Sequence, residues 1–128
     1  MAVDRNMPIL IVDDYKTMLR IIRNLLRQLD FQNVEEAGDG ASALQLLESR
    51  EFSLIISDWN MEPMTGLQLL REVRKSPRLK AIPFIMITAE SKTDNVIAAK
   101  EAGVSNYIVK PFNAETLKAK LSSVLGPI

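Results

Sequence analysis

Short apolar runs alternate along this chain with longer stretches in which apolar residues recur every three or four positions. The runs Pro8–Val12, Val34–Ala37, Leu54–Ser57, Phe84–Ile87 and Tyr107–Val109 predict five strands. Between them, helical periods predict helices over about Lys16–Leu29, Ala41–Ser49, Leu67–Lys75, Thr93–Ala102 and Ala114–Leu125. The first helix groups Met18, Ile21, Ile22, Leu25, Leu26 and Leu29 on one buried face, and the second turns Leu44 and Leu47 inward. Punctuation agrees with these bounds. Gly38-Asp39-Gly40 is a loop, Pro63–Gly66 a turn, and Ser76-Pro77 a helix break. Gly103 suits the position just past a helix end, Asn113 suits an N-cap, and Gly126-Pro127 closes the last helix.

Strands that are apolar on both faces belong in a parallel sheet covered on both sides. Right-handed crossovers then make a doubly wound α/β domain of five βα units, with residues 1–128 as one domain. Ligands of such sheets bind beyond the carboxyl ends of the strands. Four of the runs lead there into residues that can handle phosphate or metal. They are Asp13-Asp14, Asp58, Thr88 and Lys110.

Each has a plain structural reading: a solvated turn for Asp13-Asp14, a helix cap for Thr88, a salt bridge for Lys110. Convergence changes the balance. Carboxylates about 4 Å apart repel by about 4 kcal/mol per pair at an effective dielectric near 20. Either their pKa values rise or a cation sits among them. Pro111 is an ordinary loop stop or, if its peptide bond is cis, a device that directs Lys110.

Composition narrows the chemistry. Of 128 residues, 47% are hydrophobic and 25% charged, as in an ordinary globule. Sixteen basic residues offset sixteen acidic ones, so no global field favours nucleic acid or an anionic membrane. No apolar stretch is long enough to span a bilayer, and Met1–Met7 lacks a signal-peptide core, so a cytoplasmic location is expected. The chain has no cysteine and no histidine. Triads built on histidine, thiolate nucleophiles and zinc thiolate sites are excluded, and the chain cannot be a histidine phosphodonor. A metal here must be held by oxygen, which favours a hard cation such as Mg²⁺.

The motifs Asp13-Asp14, Ser57-Asp58-Trp59-Asn60-Met61, Thr88-Ala89-Glu90 and Lys110-Pro111-Phe112 resemble those of the receiver domains of two-component response regulators. The resemblance covers essentially the whole chain, and Asp58-Trp59-Asn60-Met61 with Tyr107 point to the chemotaxis branch. It implies a flavodoxin-like (βα)5 fold with strand order 2-1-3-4-5. It implies Asp58 as a phosphoacceptor that forms an acyl phosphate. Asp14, Asp58 and the main-chain carbonyl of Asn60 would ligate Mg²⁺, with Asp13 acting through water. Lys110 and Thr88 would meet the phosphoryl oxygens, and Asn60 and Glu90 would tune hydrolysis.

The same resemblance implies a histidine kinase as donor and a flagellar motor switch protein as target, with a phosphatase as a further partner. Tyr107 would move inward and, with Thr88, reshape a partner face made of Ser91, Val96, Lys100, Tyr107, Val109 and Lys120. A monomer that catalyses only its own phosphorylation and dephosphorylation is expected, with no output domain attached. A phosphate sink or an adaptor acting on a non-flagellar partner is the alternative.

The chain departs from the receiver pattern at two places. Glu62 stands where many receivers have proline, which here is Pro63, and Thr65 stands where an acid is common. Glu62 either faces solvent or contributes to metal binding and phosphoryl lifetime. Rival functions fare less well. A dehalogenase-like phosphatase needs an acid where Asn60 stands, and Asp13-Asp14 would repel a flavin phosphate. A receiver that has lost phosphorylation conflicts with the intact set of five residues.

Overall fold

Each predicted element is present in the computed structural model, which describes residues 3–89 and 93–128. In chain order they are β1 (Ile9–Val12), α1 (Lys16–Gln28), β2 (Val34–Ala37), α2 (Gly40–Ser49), β3 (Leu54–Asp58), α3 (Gly66–Lys75), β4 (Phe84–Thr88), α4 (Thr93–Glu101), β5 (Asn106–Val109) and α5 (Ala114–Leu125). The strands form one parallel sheet in the order β2-β1-β3-β4-β5. The doubly wound α/β fold and its strand order are thus as expected.

Alternation along the central strands divides the core into two layers. Ile9, Ile11, Leu54, Ile56, Ile85 and Ile87 face Leu19, Ile22 and Leu26 of α1 and Leu117 and Leu121 of α5. Leu10, Val12, Ile55, Phe84 and Met86 face Leu47 of α2 and Leu69, Leu70 and Val73 of α3. Both faces of β1, β3 and β4 are therefore dry, and only their ends are left for polar chemistry.

One predicted helix face needs correction. Ile21 is exposed, while Leu19 is buried with Ile22 and Leu26. The buried line of α1 runs through Leu19, and Met18, Leu25 and Leu29 flank it.

Helix ends follow local chemistry. Asp39 caps α2 by accepting from Ser42 N at 2.7 Å, and Asn113 caps α5 by accepting from Thr116 N at 2.9 Å. Thr65 and Gln68 form a reciprocal capping box on α3. Past α4, Gly103 takes a positive φ of 93°. Its N–H donates to Lys100 O, and the Val104 N–H donates to Ala99 O. That pair of bonds is the Schellman arrangement, which glycine enters without a Cβ penalty. Arg78 donates to the carbonyls of Leu47 and Glu48, satisfying the open end of α2.

Candidate functional site

The carboxyl ends of β1, β3 and β4 and the start of the loop after β5 converge as the strand pattern predicted. Main-chain bonds carry the ladder one residue past the strand ends. Asp13 N donates to Ala37 O at 3.1 Å, Trp59 N to Ile87 O at 2.9 Å and Lys110 N to Thr88 O at 2.8 Å. The functional side chains are thus mounted on sheet geometry rather than on free loops.

Asp13, Asp14 and Asp58 each bring a carboxylate oxygen within 4.8 Å of the others. Asp13 and Asp58 are only 2% and 3% exposed, whereas Asp14 is open to solvent. Lys110 Nζ lies 2.9 Å from Asp58 Oδ1. The approach is an ion pair without hydrogen-bond alignment, so Asp58 Oδ1 keeps an unused acceptor direction. Asp13 Oδ2 is buried with no hydrogen-bond partner, while its Oδ1 accepts from Tyr15 N at 3.0 Å. Buried polar atoms left unpaired are rare and costly.

Burial first, and the neighbouring Asp58 and Asp14 charges second, push the Asp13 carboxyl up to about 6. The Tyr15 amide and the Lys110 ammonium pull the other way without cancelling the rise. Two inward oxygens without hydrogen bonds, a third acid at the rim and an all-oxygen donor set fit a hard divalent cation. Mg²⁺ is well matched to such a set, since it accepts one or two carboxylates and keeps water for the rest.

Thr88 ends β4 and is buried. Asn60 and Glu62 are both exposed, and Glu62 stands outside the carboxylate group. The Glu62–Pro63 and Lys110–Pro111 peptide bonds are both cis. Thr65, noted above as a departure from the receiver pattern, is used as the cap of α3. Glu90 and Ser91 lie outside the described residues.

The described residues expected on the partner face belong to α4, β5 and α5, at the β5 edge. Val96, Tyr107, Val109 and Lys120 are half-buried, and Lys100 is exposed. Lys120 Nζ sits 5.1 Å from the centre of the Tyr107 ring. Asn106 Oδ1 accepts from Tyr107 N at 2.8 Å and from Lys120 Nζ at 3.4 Å. A narrow, largely apolar cavity of about 10 Å³ separates Tyr107 from Thr88, with Trp59, Met86, Val96 and Ala99 in its walls.

Three contributors were not singled out from sequence. The Tyr15 amide acts through its backbone, so no side-chain signal announces it. The buried Ser57 hydroxyl donates to Asp58 O at 3.0 Å. Gly66 lets α3 start against β3: its N–H donates to Trp59 O at 2.9 Å, and an added Cβ would meet Asp58 O at 2.2 Å. A glycine opening a helix just after the Pro63 turn was the available sign.

Residues 9–122 match the family described as the response regulator receiver domain. Chemotaxis protein CheY of Pseudomonas aeruginosa is 54% identical over 118 residues, covering 92% of this chain and 95% of that protein. Chemotaxis protein CheY-3 of Vibrio cholerae is 51% identical over 121 residues, covering 94% and 93%. Among solved structures, CheY4 of Vibrio cholerae superposes with a TM-score of 0.87 at 35% identity, covering 94% of this chain and 99% of that one. The receiver domain of a Pseudomonas aeruginosa sensor histidine kinase, solved with a magnesium ion coordinated in its active-site cleft, superposes with a TM-score of 0.85 at 26% identity, covering 94% and 98%. A profile match over most of the chain, whole-length relatives above half identity and a shared sheet topology agree: this chain belongs to the response regulator receiver family.

Proposed function

We propose that this chain is a single receiver unit that accepts a phosphoryl group on Asp58 from a histidine kinase and signals by binding a partner at its β5 edge. The observation that carries the reading is the Asp58 carboxylate, 3% exposed, with Lys110 Nζ at 2.9 Å and two further carboxylates within 4.8 Å. Mg²⁺, held by Asp14, Asp58 and the Asn60 carbonyl with Asp13 acting through water, would neutralise charge on the transferring group.

A carboxylate oxygen of Asp58 attacks phosphorus, the bond to the donor's imidazole nitrogen breaks, and the nitrogen keeps the electron pair. Lys110 places its ammonium against the incoming phosphoryl oxygens, and Thr88 offers them its hydroxyl. Water later attacks phosphorus, which releases inorganic phosphate and restores the carboxylate. Asn60 and Glu90 set the access of that water.

The output reading rests on the β5 edge. Phosphorylation adds about one negative charge beside Thr88. Thr88 turns towards it, and Tyr107 moves inward past the cavity walls. The face of Ser91, Val96, Lys100, Tyr107, Val109 and Lys120 then changes shape. The relatives are named as chemotaxis proteins, which supports a chemotaxis setting. The proposal takes a chemotaxis kinase as donor, a flagellar motor switch protein as target, and a monomer acting in the cytoplasm. Among the described residues no helix is long and apolar enough to cross a membrane.

Intact mass after incubation with a small acyl phosphate and Mg²⁺ tests the chemistry. One phosphoryl adduct that disappears in Asp58→Ala is expected. No adduct, or one that survives that substitution, would overturn the assignment.

A further inference from the structure

Helix α4 is thinly packed along its length and firmly held at one end. Among its described side chains only Ala99 is buried, while Val96 is half-buried and Ile97 exposed. An alanine removes little apolar surface from water, so the body of the helix contributes little to its own hold. Just past its last turn, Ala102 and Val104 pack on the core layer that contains Val73 and Phe84.

The held end is built around Arg74 of α3. Its Nε donates to Gly103 O at 2.9 Å, and its Nη1 donates to Lys80 O at 3.1 Å and to Ile82 O at 2.5 Å. One guanidinium thus joins the end of α3, the loop that enters β4 and the turn that leaves α4. Its stem packs on Gly103 as well, since a Cβ there would lie 3.1 Å from Nε and 3.4 Å from Cδ. Among the described residues no carboxylate forms an ion pair with Arg74. Carbonyl oxygens hold the charge instead, one of them at the C-terminal end of α4, where the helix dipole favours a cation. Two further bonds lock the same corner. Ser105 N donates to Phe84 O at 2.8 Å, and Phe84 N donates to Ser105 Oγ at 3.0 Å. The opposite half of α4 borders the small cavity beside Tyr107, with Asn95, Val96 and Ala99 in its wall.

We propose that Arg74 is a positioning residue that makes the Gly103 end of α4 a fixed pivot and leaves the first turn of the helix to swing. The helix is about 13 Å long, so a rotation of about 5° at the pivot moves its first turn by about 1 Å. That motion shifts the Val96 wall of the cavity while the starts of β4 and β5 stay in place. Its use as a lever on the partner face rests on the phosphoacceptor reading above; the pivot itself does not.

Amide hydrogen exchange in the full, unphosphorylated chain tests the pivot. Helix ends ordinarily fray, so protection should fall towards the C-terminus of an unclamped helix. Here Ala102 and Val104 are expected to be at least about tenfold better protected than Ile97 and Ala98. Arg74→Ala should remove that advantage, and Arg74→Lys, which keeps the charge but not the fork of donors, should fall between. Leu10 and Ile56 in the central strands report any general loss of stability, so the readout is the protection of Val104 relative to Ile56. With beryllofluoride and Mg²⁺, native shifts along α4 should be largest at Asn95–Ile97 and fade towards Gly103, whereas in Arg74→Ala they should reach Val104. Even protection along the native helix, an unchanged Val104-to-Ile56 ratio in Arg74→Ala, or native beryllofluoride shifts centred on Gly103 would overturn the proposal. The expected protection pattern with no beryllofluoride shift anywhere would overturn the phosphoacceptor reading instead.

Discussion

Gly66 and Asp58 approach so closely that any Cβ on Gly66 would lie 2.2 Å from the Asp58 carbonyl oxygen. The obstructing atom is backbone, on the strand that presents the proposed phosphoacceptor, and Trp59 Cα is also within 2.9 Å. Relief therefore requires α3 and the end of β3 to separate. Gly66→Ala is expected to destabilise the fold by about 3 kcal/mol, the upper part of the overpacking range. Urea unfolding measures that loss. Phosphorylation of the residual folded protein should slow as well, since the Asp58 peptide is displaced.

Removing the Lys110 ammonium has two effects of opposite sign. Lys110→Met deprives Asp58 Oδ1 of its charge partner at 2.9 Å. Because Lys110 is a quarter exposed, solvent screens the pair, and a stability loss of about 1–2 kcal/mol is expected rather than the full buried-pair cost. The same change removes the positive charge that a divalent cation would meet at the carboxylates. Mg²⁺ titration followed by Trp59 fluorescence should therefore show tighter binding than in the native chain, while phosphorylation becomes slower.

The pH dependence without metal follows from Asp13. Its folded carboxyl is raised from 3.8 to about 6, so between these values the folded state holds more proton than the unfolded chain. The favourable contribution is complete below about pH 4 and is lost as pH rises through about 6. The fall amounts to no more than about 3 kcal/mol. Asp39 acts oppositely: its backbone cap bonds hold its pKa low, so its contribution is lost in acid. Denaturation midpoints at about pH 5 and about pH 8 should show the Asp13 loss in metal-free protein. Asp13→Asn should flatten the difference, and saturating Mg²⁺ should reverse it.

Glu62 is exposed and outside the carboxylate group, so Glu62→Ala is expected to leave Mg²⁺ affinity within about a factor of two. The Trp59 titration reads this directly.

The cavity between Thr88 and Tyr107, at about 10 Å³, is too small to receive a ring unless its walls shift. Ala99→Leu would fill it. Phosphorylation should continue in that variant, while the phosphorylation-dependent gain in partner binding is lost. Calorimetric titration of the partner with native and variant protein, each loaded with beryllofluoride, measures the gain.

The strand pattern was legible because both faces of β1, β3 and β4 are dry, which leaves uninterrupted runs such as Ile9–Val12 and Phe84–Ile87. Their reactive ends could be read off directly, since a parallel sheet places all of them on one edge. The phase of α1 was harder. Leu19 and Ile21 are both apolar, and the packing of α1 puts Leu19, three and seven positions before Ile22 and Leu26, on the buried line. Nor could the sequence reveal the Tyr15 amide bond, which acts through the backbone, or the tight Gly66 approach and the Arg23–Glu36 ion pair, which depend on distances between separate elements.

Lys110 follows β5, whereas its partner Asp58 ends β3, two strands away. At the usual strand spacing the ion pair bridges about 10 Å across β4. β5 is an edge strand with a ladder on one side only, so this ion pair joins the Lys110 N to Thr88 O bond in holding its end. Any event that re-partners the lysine acts like slackening a guy-rope: the centre of the sheet holds still, and the displacement is paid out at the margin that carries Tyr107.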